Sequence, residues 1–154
     1  MVKQISFLFY FLLFVLFSIG CQGKEETMVT EVNMVNMNMT IYIDSTELTV
    51  VWENNDSVKA LFNLVKEKPL EVQLSMYGGF EQVGHLNYRL PDSDKRITTQ
   101  AGDIVLYSGN QIVLFYGSNT WAYTKLGHIT NKTDAELKNL LSHGNVKILI
   151  KNEE

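Results

Sequence analysis

Apolar and polar residues alternate one by one in several short segments between residues 37 and 150, and this pattern limits the fold more than any other feature. The first segment is Met37–Ile43 and the last is Val146–Ile150. Side chains of a β-strand point alternately to its two faces, so each alternating segment predicts a half-buried strand. Residues 111–116 are nearly all apolar and predict a strand buried on both faces.

The other predicted strands are shorter or flanked by clear turn signals. They lie at residues 48–52, 70–76, 85–90, 104–107 and 121–129, which makes about eight strands in all. The turn-forming residues 44–46 predict that the first two strands form a hairpin. The polar residues 91–96 predict a loop.

Two segments have helical instead of strand spacing. Residues 58–65 place apolar side chains at i, i+3, i+4 and i+7, between the capping residues Asn54-Asn55-Asp56 and Pro69. Residues 133–136 have the capping-box pattern at the start of a second helix, and Gly144 is expected to close it in a left-handed cap.

The strands and helices do not alternate, which excludes a parallel sheet built from strand–helix–strand units. Many short strands in one small domain favour a barrel, because closure removes exposed sheet edges. The sequence therefore predicts a mainly β fold, a closed or nearly closed β-barrel of about eight strands with two helices, as one domain at residues 37–151.

Charge argues against one class of partner. The chain has 13 Lys and Arg against 17 Asp and Glu, which gives a formal net charge of −4. It has no basic cluster, whereas nucleic-acid binding needs Lys and Arg to neutralise phosphates. No nucleic-acid partner is expected.

The first twenty residues have the pattern of an export signal. Lys3 precedes an almost wholly apolar run, Phe7–Ile19, which as a helix would span roughly 20 Å and is too short to cross a membrane. Ser18-Ile19-Gly20-Cys21 follows and resembles the lipobox of bacterial lipoproteins. That resemblance implies a signal peptide at residues 1–20 and a lipid on Cys21, anchoring the exported protein to the cell envelope at the outer membrane or cell surface.

Cys21 is the only cysteine, so it has no intramolecular disulfide partner. The alternative to lipidation is an ordinary secretory signal with a free thiol beside the cleavage site. Residues 21–36 lack strong apolar spacing and predict a flexible tether. Within it, Lys24-Glu25-Glu26 resembles the surface-export signal of some Gram-negative lipoproteins, or is simply polar linker.

Three blocks of sequence carry a resemblance to a known fold family. They are Ala101–Tyr107, Gln111–Tyr116 and Tyr123–Ile129, the last followed by the second helix. In this order they resemble the bacterial cyclophilin-like domain family, over residues 38–151. The resemblance implies a cyclophilin-like β-barrel.

The resemblance also implies what a prolyl isomerase of this fold would need. True cyclophilins use an arginine in a Phe-His-Arg pattern, and neither Arg89 nor Arg96 lies in one. Gln111 matches the glutamine of the family's peptide groove. Val113 stands where a phenylalanine is expected, and Tyr123 where a histidine is expected.

Aromatic residues with one amide are candidates for a ligand groove, because such walls suit a peptide or a small apolar ligand. Packing in the core or on the surface is the alternative for each aromatic residue. The candidates are Tyr77, Phe80, Tyr107, Gln111, Phe115, Trp121 and Tyr123.

No catalytic residue, metal or cofactor is assigned. His85, His128 and His143 lack the spacing of metal ligands. The sequence predicts a membrane-tethered, non-catalytic module that binds a peptide or small molecule. The alternatives are a weak peptidyl-prolyl isomerase acting on exported proteins and a structural component of the envelope.

Overall fold

The computed structural model describes residues 38–153, which form ten strands and two helices. In chain order they are β1 (Met39–Ile43), β2 (Thr46–Leu48), β3 (Val50–Trp52), α1 (Asp56–Glu67), β4 (Leu70–Tyr77), β5 (Glu81–His85), β6 (Lys95–Thr98), β7 (Asp103–Tyr107), β8 (Gln111–Phe115), β9 (Thr120–Ile129), α2 (Asp134–Leu141) and β10 (Val146–Asn152). The predicted signal peptide, the predicted lipid-bearing Cys21 and the predicted tether lie outside the described residues. Between residues 38 and 153, no helix is both long and apolar enough to span a bilayer.

The strands form a nearly closed antiparallel barrel, which confirms the predicted fold class. Their order is β2-β1-β10-β4-β5-β8-β7-β9-β3, and β6 pairs with β9 as well. The two ends of this order, β2 and β3, are consecutive in the chain and only Thr49 separates them. The indole Nε1 of Trp52 on β3 donates to the Met39 carbonyl on β1 at 2.8 Å, which joins the two ends of the sheet.

The predicted hairpin is correct only in its first half. β2 pairs with β1, but β3 leaves that partner and pairs with β9. The change occurs at Thr49, whose N–H donates to Asn131 Oδ1 at 3.0 Å and whose carbonyl accepts from the Thr130 N–H at 2.9 Å. These bonds to the segment after β9 redirect the chain, so one predicted strand becomes two.

The strand predicted at residues 85–90 is wrong. The strand in this region is β5, and it ends where the predicted strand was to begin. Leu86 and Leu90 are buried, which produced the apolar signal. Their N–H groups donate to the carbonyls of Asn110 and Gly109 at 2.9 and 2.8 Å, so this segment is a loop packed on the β7–β8 turn.

The loop predicted at residues 91–96 is wrong at its end, because Lys95 and Arg96 belong to a strand. β6 begins at Lys95 and pairs with the first half of β9, with Arg96 opposite Ala122. Three of its four residues are exposed, so it has no alternating apolar pattern. Together with the split at Thr49, this strand explains why ten strands form where about eight were predicted.

Both predicted helices are confirmed. Asn55 caps α1 by accepting from the Val58 N–H at 3.0 Å. Thr133 and Glu136 form the expected capping box at the start of α2. Gly144 has the expected positive φ of +131°, although α2 itself ends earlier, with Ser142 as its C-cap.

Two apolar cores lie on opposite faces of the same strands. The main core fills the barrel and takes alternate residues of β7 and β8, such as Ile104 and Leu114, with side chains from both helices. The second core lies on the outer face and uses the residues between them. It consists of Val105, Val113, Phe115 and Tyr123, with Phe80, Val83, Ile97 and Tyr107 packed against it.

Candidate functional site

An open cleft of about 450 Å³ lies over the second core, on the outer face of the barrel. We call it the aromatic cleft. It is lined by Tyr77, Glu81, Val83, Tyr107, Gln111, Val113, Asn119, Trp121 and Tyr123. These side chains come from β4, β5, β7, β8 and β9 and from the loop between β8 and β9.

Strand register brings the floor of the aromatic cleft together. Val83 on β5 is opposite Val113 on β8, and Val113 is opposite Val105 on β7. Gln111 on β8 is opposite Tyr107 on β7. Residues two apart on a strand share a face, so this register aligns the lining side chains of all three strands on one surface.

The β7–β8 turn fixes the position of Tyr107 and Gln111. Ser108 and Gly109 in this turn have φ of +51° and +72°. The Arg89 guanidinium donates to the Ser108 carbonyl at 3.0 Å and pairs with Asp92 at 3.1 Å. A Cβ on Gly109 would lie 2.6 Å from Asp92 Oδ2, so any other residue would displace this ion pair, and the positive φ also favours glycine.

Exposure distinguishes the rim of the aromatic cleft from its floor. Tyr77 and Trp121 are 67% and 53% exposed and form the rim. Glu81 and Tyr123 are each only 5% exposed and lie at the floor. A ligand would therefore pass two aromatic rings before it reached a buried carboxyl group and a buried phenol.

The aromatic side chains pack in contact with one another. Tyr107 meets Tyr123 edge to face at 6.0 Å between ring centroids, and Tyr123 meets Phe115 in the same way at 5.7 Å. Phe80 stacks on Phe115 at 6.4 Å. Such pairs stabilise the wall beyond their area of burial and hold the rings in place.

The structure brings five of the seven predicted groove residues into the aromatic cleft. They are Tyr77, Tyr107, Gln111, Trp121 and Tyr123. Phe80 and Phe115 are not among the lining residues; they pack in the second core behind Tyr123. That these side chains bind a ligand stays a prediction.

Glu81 is a lining residue that sequence reasoning missed. Its Oε2 atom is buried and has no hydrogen-bond partner among the described residues. Burial raises the pKa of Glu81 to about 7. A single acid just after the Gly78-Gly79 turn has the sequence signature of a solvated turn residue, and only the pairing of β5 with β8 places it at the floor.

Asn119 was also missed, because its position depends on contacts distant in sequence. Its backbone N–H donates to Thr99 Oγ1 at 3.0 Å, and its carbonyl accepts from the Thr99 N–H at 2.8 Å. Its side chain Nδ2 then donates to the Tyr123 hydroxyl at 2.9 Å. Burial and the charge of Glu81 raise the pKa of Tyr123, so the phenol stays neutral.

Neither arginine lines the aromatic cleft in the described part of the chain. Arg89 is bound to the β7–β8 turn and to Asp92, and Arg96 lies on β6. In residues 38–153, no group of three or more His, Asp or Glu side chains is placed to hold a metal ion.

The mainly β, nearly closed barrel with two helices is consistent with the cyclophilin-like class. The sequence model of the Cyclophilin-like family matches residues 41–151, and the chain belongs to that family. This confirms the family resemblance predicted from the three sequence blocks.

A solved structure has the same fold. The solution structure of the hypothetical protein AF2241 from Archaeoglobus fulgidus aligns with a TM-score of 0.54 and 18% identity, over 75% of this chain and 93% of that one. At this identity the likeness concerns the fold alone. No curated protein matches the chain.

Proposed function

We propose that this protein is a non-catalytic binding module that holds a peptide or small ligand in the aromatic cleft. The observation that carries the proposal is the convergence of four aromatic side chains with Glu81, Gln111 and Asn119 in one open cleft of about 450 Å³. Apolar walls with a few polar groups that fix orientation are the usual composition of a ligand site.

The contacts of Arg89 support binding without catalysis. An isomerase of this fold, as the resemblance implies, would aim an arginine at the prolyl nitrogen. Arg89 is instead held by the Ser108 carbonyl and Asp92. A guanidinium in that position fixes the turn below the aromatic cleft.

A thermal-shift screen of peptides and metabolites, followed by variants, tests the binding proposal. We expect at least one class of compound to stabilise the protein, and the Trp121→Ala variant to reduce that shift. Val51→Ala is the matched control, since Val51 is also apolar and 63% exposed but does not line the aromatic cleft. Stabilisation by no class, or equal shifts in both variants, would count against the proposal.

Weak peptidyl-prolyl isomerase activity is the second candidate, and Gln111 favours it. This residue lines the aromatic cleft and matches the glutamine of the family's peptide groove. Isomerisation must lower a barrier of about 18–20 kcal/mol about the amide bond. An assay on a short proline peptide decides the point: a rate equal to the uncatalysed one removes this candidate.

We also propose that a lipid on Cys21 tethers the module to the outside of a bacterial envelope. The proposal rests on the sequence Ser18-Ile19-Gly20-Cys21 after an apolar run and on the pattern of signal peptides. We expect mass spectrometry of the mature protein to find an acylated amino-terminal cysteine, and Cys21→Ser to release the protein from membranes. An unmodified thiol at this position would refute the tether.

A further inference from the structure

We infer that the aromatic cleft receives organic cations, and that Glu81 pairs with the ammonium or guanidinium group of the ligand. The inference rests on the proposed binding function and names the chemical class of its ligand. It is drawn from the burial of Glu81, the charges around it and the rings above it.

The buried carboxyl group of Glu81 lacks a hydrogen-bond partner among the described residues. The side chain is 5% exposed, and its buried Oε2 has no partner in the described part of the chain. A buried carboxylate without a partner is costly, since it has lost water and gained no donor in exchange. A cation bound against the part of this carboxyl group that lines the aromatic cleft supplies a donor and the missing countercharge.

The charged side chain that lines the aromatic cleft in the described residues is acidic. None of its described lining residues is Lys, Arg or His, and Glu81 is the one acidic side chain among them. An anionic ligand would therefore bring a second negative charge into a site with nothing to neutralise it. A cationic ligand meets the opposite charge of Glu81, a side chain that is only 5% exposed.

Aromatic rings line the aromatic cleft between solvent and Glu81. The face of an aromatic ring attracts cations, and tryptophan does so most strongly. Trp121 and Tyr77 stand at the rim, and Tyr107 and Tyr123 line the interior. The route to the carboxylate is thus lined by groups that favour a positive charge and an aliphatic stem.

The size of the aromatic cleft accommodates a ligand of this kind. A volume of about 450 Å³ falls within the range of small-ligand sites. The amide oxygen of Gln111 adds an acceptor for the hydrogens of an ammonium or guanidinium group. The cation can come from a lysine or arginine side chain of a peptide or from a free amine, and the test separates these sources.

Calorimetric titration of the full-length protein in detergent tests the inference at pH 8. The probes are a capped Gly-Lys-Gly peptide, free pentylamine and the same peptide with an acetylated lysine. We expect one or both cationic probes to bind at least ~10-fold more tightly than the acetylated peptide. Tighter binding of the peptide indicates a protein ligand, and tighter binding of pentylamine indicates a free amine.

Variants then locate the binding. Glu81→Gln should weaken the cationic probe at least ~10-fold, because it removes the countercharge and keeps the shape. Glu67→Gln, which removes the same charge from the exposed end of α1, should leave the affinity unchanged. Trp121→Leu should weaken binding roughly threefold by removing a cation–π contact while keeping an apolar side chain.

The inference is overturned if the acetylated peptide binds as well as both cationic probes, or if Glu81→Gln binds the tighter cationic probe as the natural protein does. It is also overturned if neither cationic probe binds. Should a neutral compound from the thermal-shift screen still bind at Trp121, the binding function stands and only the cationic ligand class fails. If no compound binds, both fail.

Discussion

At the scale of single residues, the carboxyl group of Glu81 makes stability depend on pH. Burial raises its pKa from an ordinary 4.5 to about 7, so the folded protein keeps this proton to a higher pH than the unfolded chain does. The stability that this proton brings is fully present below pH 4.5 and is lost as the pH rises through about 7.

Replacing this acid should remove that dependence. Between pH 4.5 and pH 8 we expect the natural protein to lose up to about 3 kcal/mol of unfolding free energy through Glu81, whereas Glu81→Gln should lack this loss. Urea denaturation at both pH values measures the difference. The other titratable side chains lining the aromatic cleft are Tyr77, Tyr107 and Tyr123, which both proteins share. Parallel pH profiles for the two proteins would contradict the prediction.

Two glycines with similar φ angles allow the cost of backbone strain to be distinguished from the cost of steric crowding by a side chain. Gly79 and Gly109 have φ of +77° and +72°, but a Cβ meets nothing within 4 Å at Gly79 and lies 2.6 Å from Asp92 Oδ2 at Gly109. Gly79→Ala should lower the free energy of unfolding by about 1 kcal/mol through backbone strain alone. Gly109→Ala should lower it by about 1 kcal/mol more, because the Arg89–Asp92 pair must also move. If both variants lose the same free energy of unfolding, the Arg89–Asp92 pair moves without a measurable energetic cost.

At the scale of secondary-structure elements, the sequence predicts an element best where the element buries an apolar face or carries its own capping residues. β7, β8 and β9 and both helices carry apolar spacing or capping residues, and all are confirmed. β6 forms from exposed polar residues only because the long strand β9 offers it a partner. β5 begins with Glu81 and Gln82, which are polar and yet buried, so neither periodicity nor composition revealed it.

The same reasoning applies to the aromatic cleft. Tyr107, Gln111, Trp121 and Tyr123 were accessible to sequence reasoning because they lie in or beside the blocks that carry the family resemblance. Tyr77 was accessible as an aromatic residue beside the Gly78-Gly79 turn. Glu81 and Asn119 were not, because a turn acid and a loop amide take their positions from partners distant in sequence, Phe115 and Thr99.

Gln82 joins β5 to the end of α2, and its loss should loosen that helix. Its side chain Nε2 donates to the carbonyls of Leu141 and Gly144 at 2.6 and 2.7 Å, where helix-end carbonyls need donors. Gln82→Leu should lower the unfolding free energy by about 1–3 kcal/mol and speed hydrogen exchange in α2. Gln73→Leu is the control: Gln73 is exposed and donates to Val146, so the change should be within about 0.5 kcal/mol. Protection of α2 that matches the control would refute this role.

At the scale of the whole molecule, the sheet curves into a barrel because one chain segment, residues 46–52, contributes the terminal strand at each end of the sheet. β2 and β3 flank Thr49 and pair with β1 and β9, and Trp52 bonds to Met39 across the gap.

Removing the indole donor should weaken this closure without changing the fold. Trp52→Phe leaves the Met39 carbonyl without its donor, and we expect a loss of about 1–2 kcal/mol in the free energy of unfolding. Trp121→Phe should change it by less than about 0.5 kcal/mol, because Trp121 is exposed. Chemical denaturation with fluorescence detection compares the two. A Trp52 variant as stable as the natural protein would mean that the Trp52–Met39 bond contributes nothing.

β7 and β8 carry the barrel interior on one face and the floor of the aromatic cleft on the other. A ligand in the proposed site would thus meet a surface that folding has already ordered, and its association would not need to immobilise loose backbone. Tyr77 and Trp121 at the rim belong to neither core, so exchanging them leaves the buried layers intact. Under the binding proposal, substitutions at the rim would therefore change the ligand preference while the scaffold beneath stays the same.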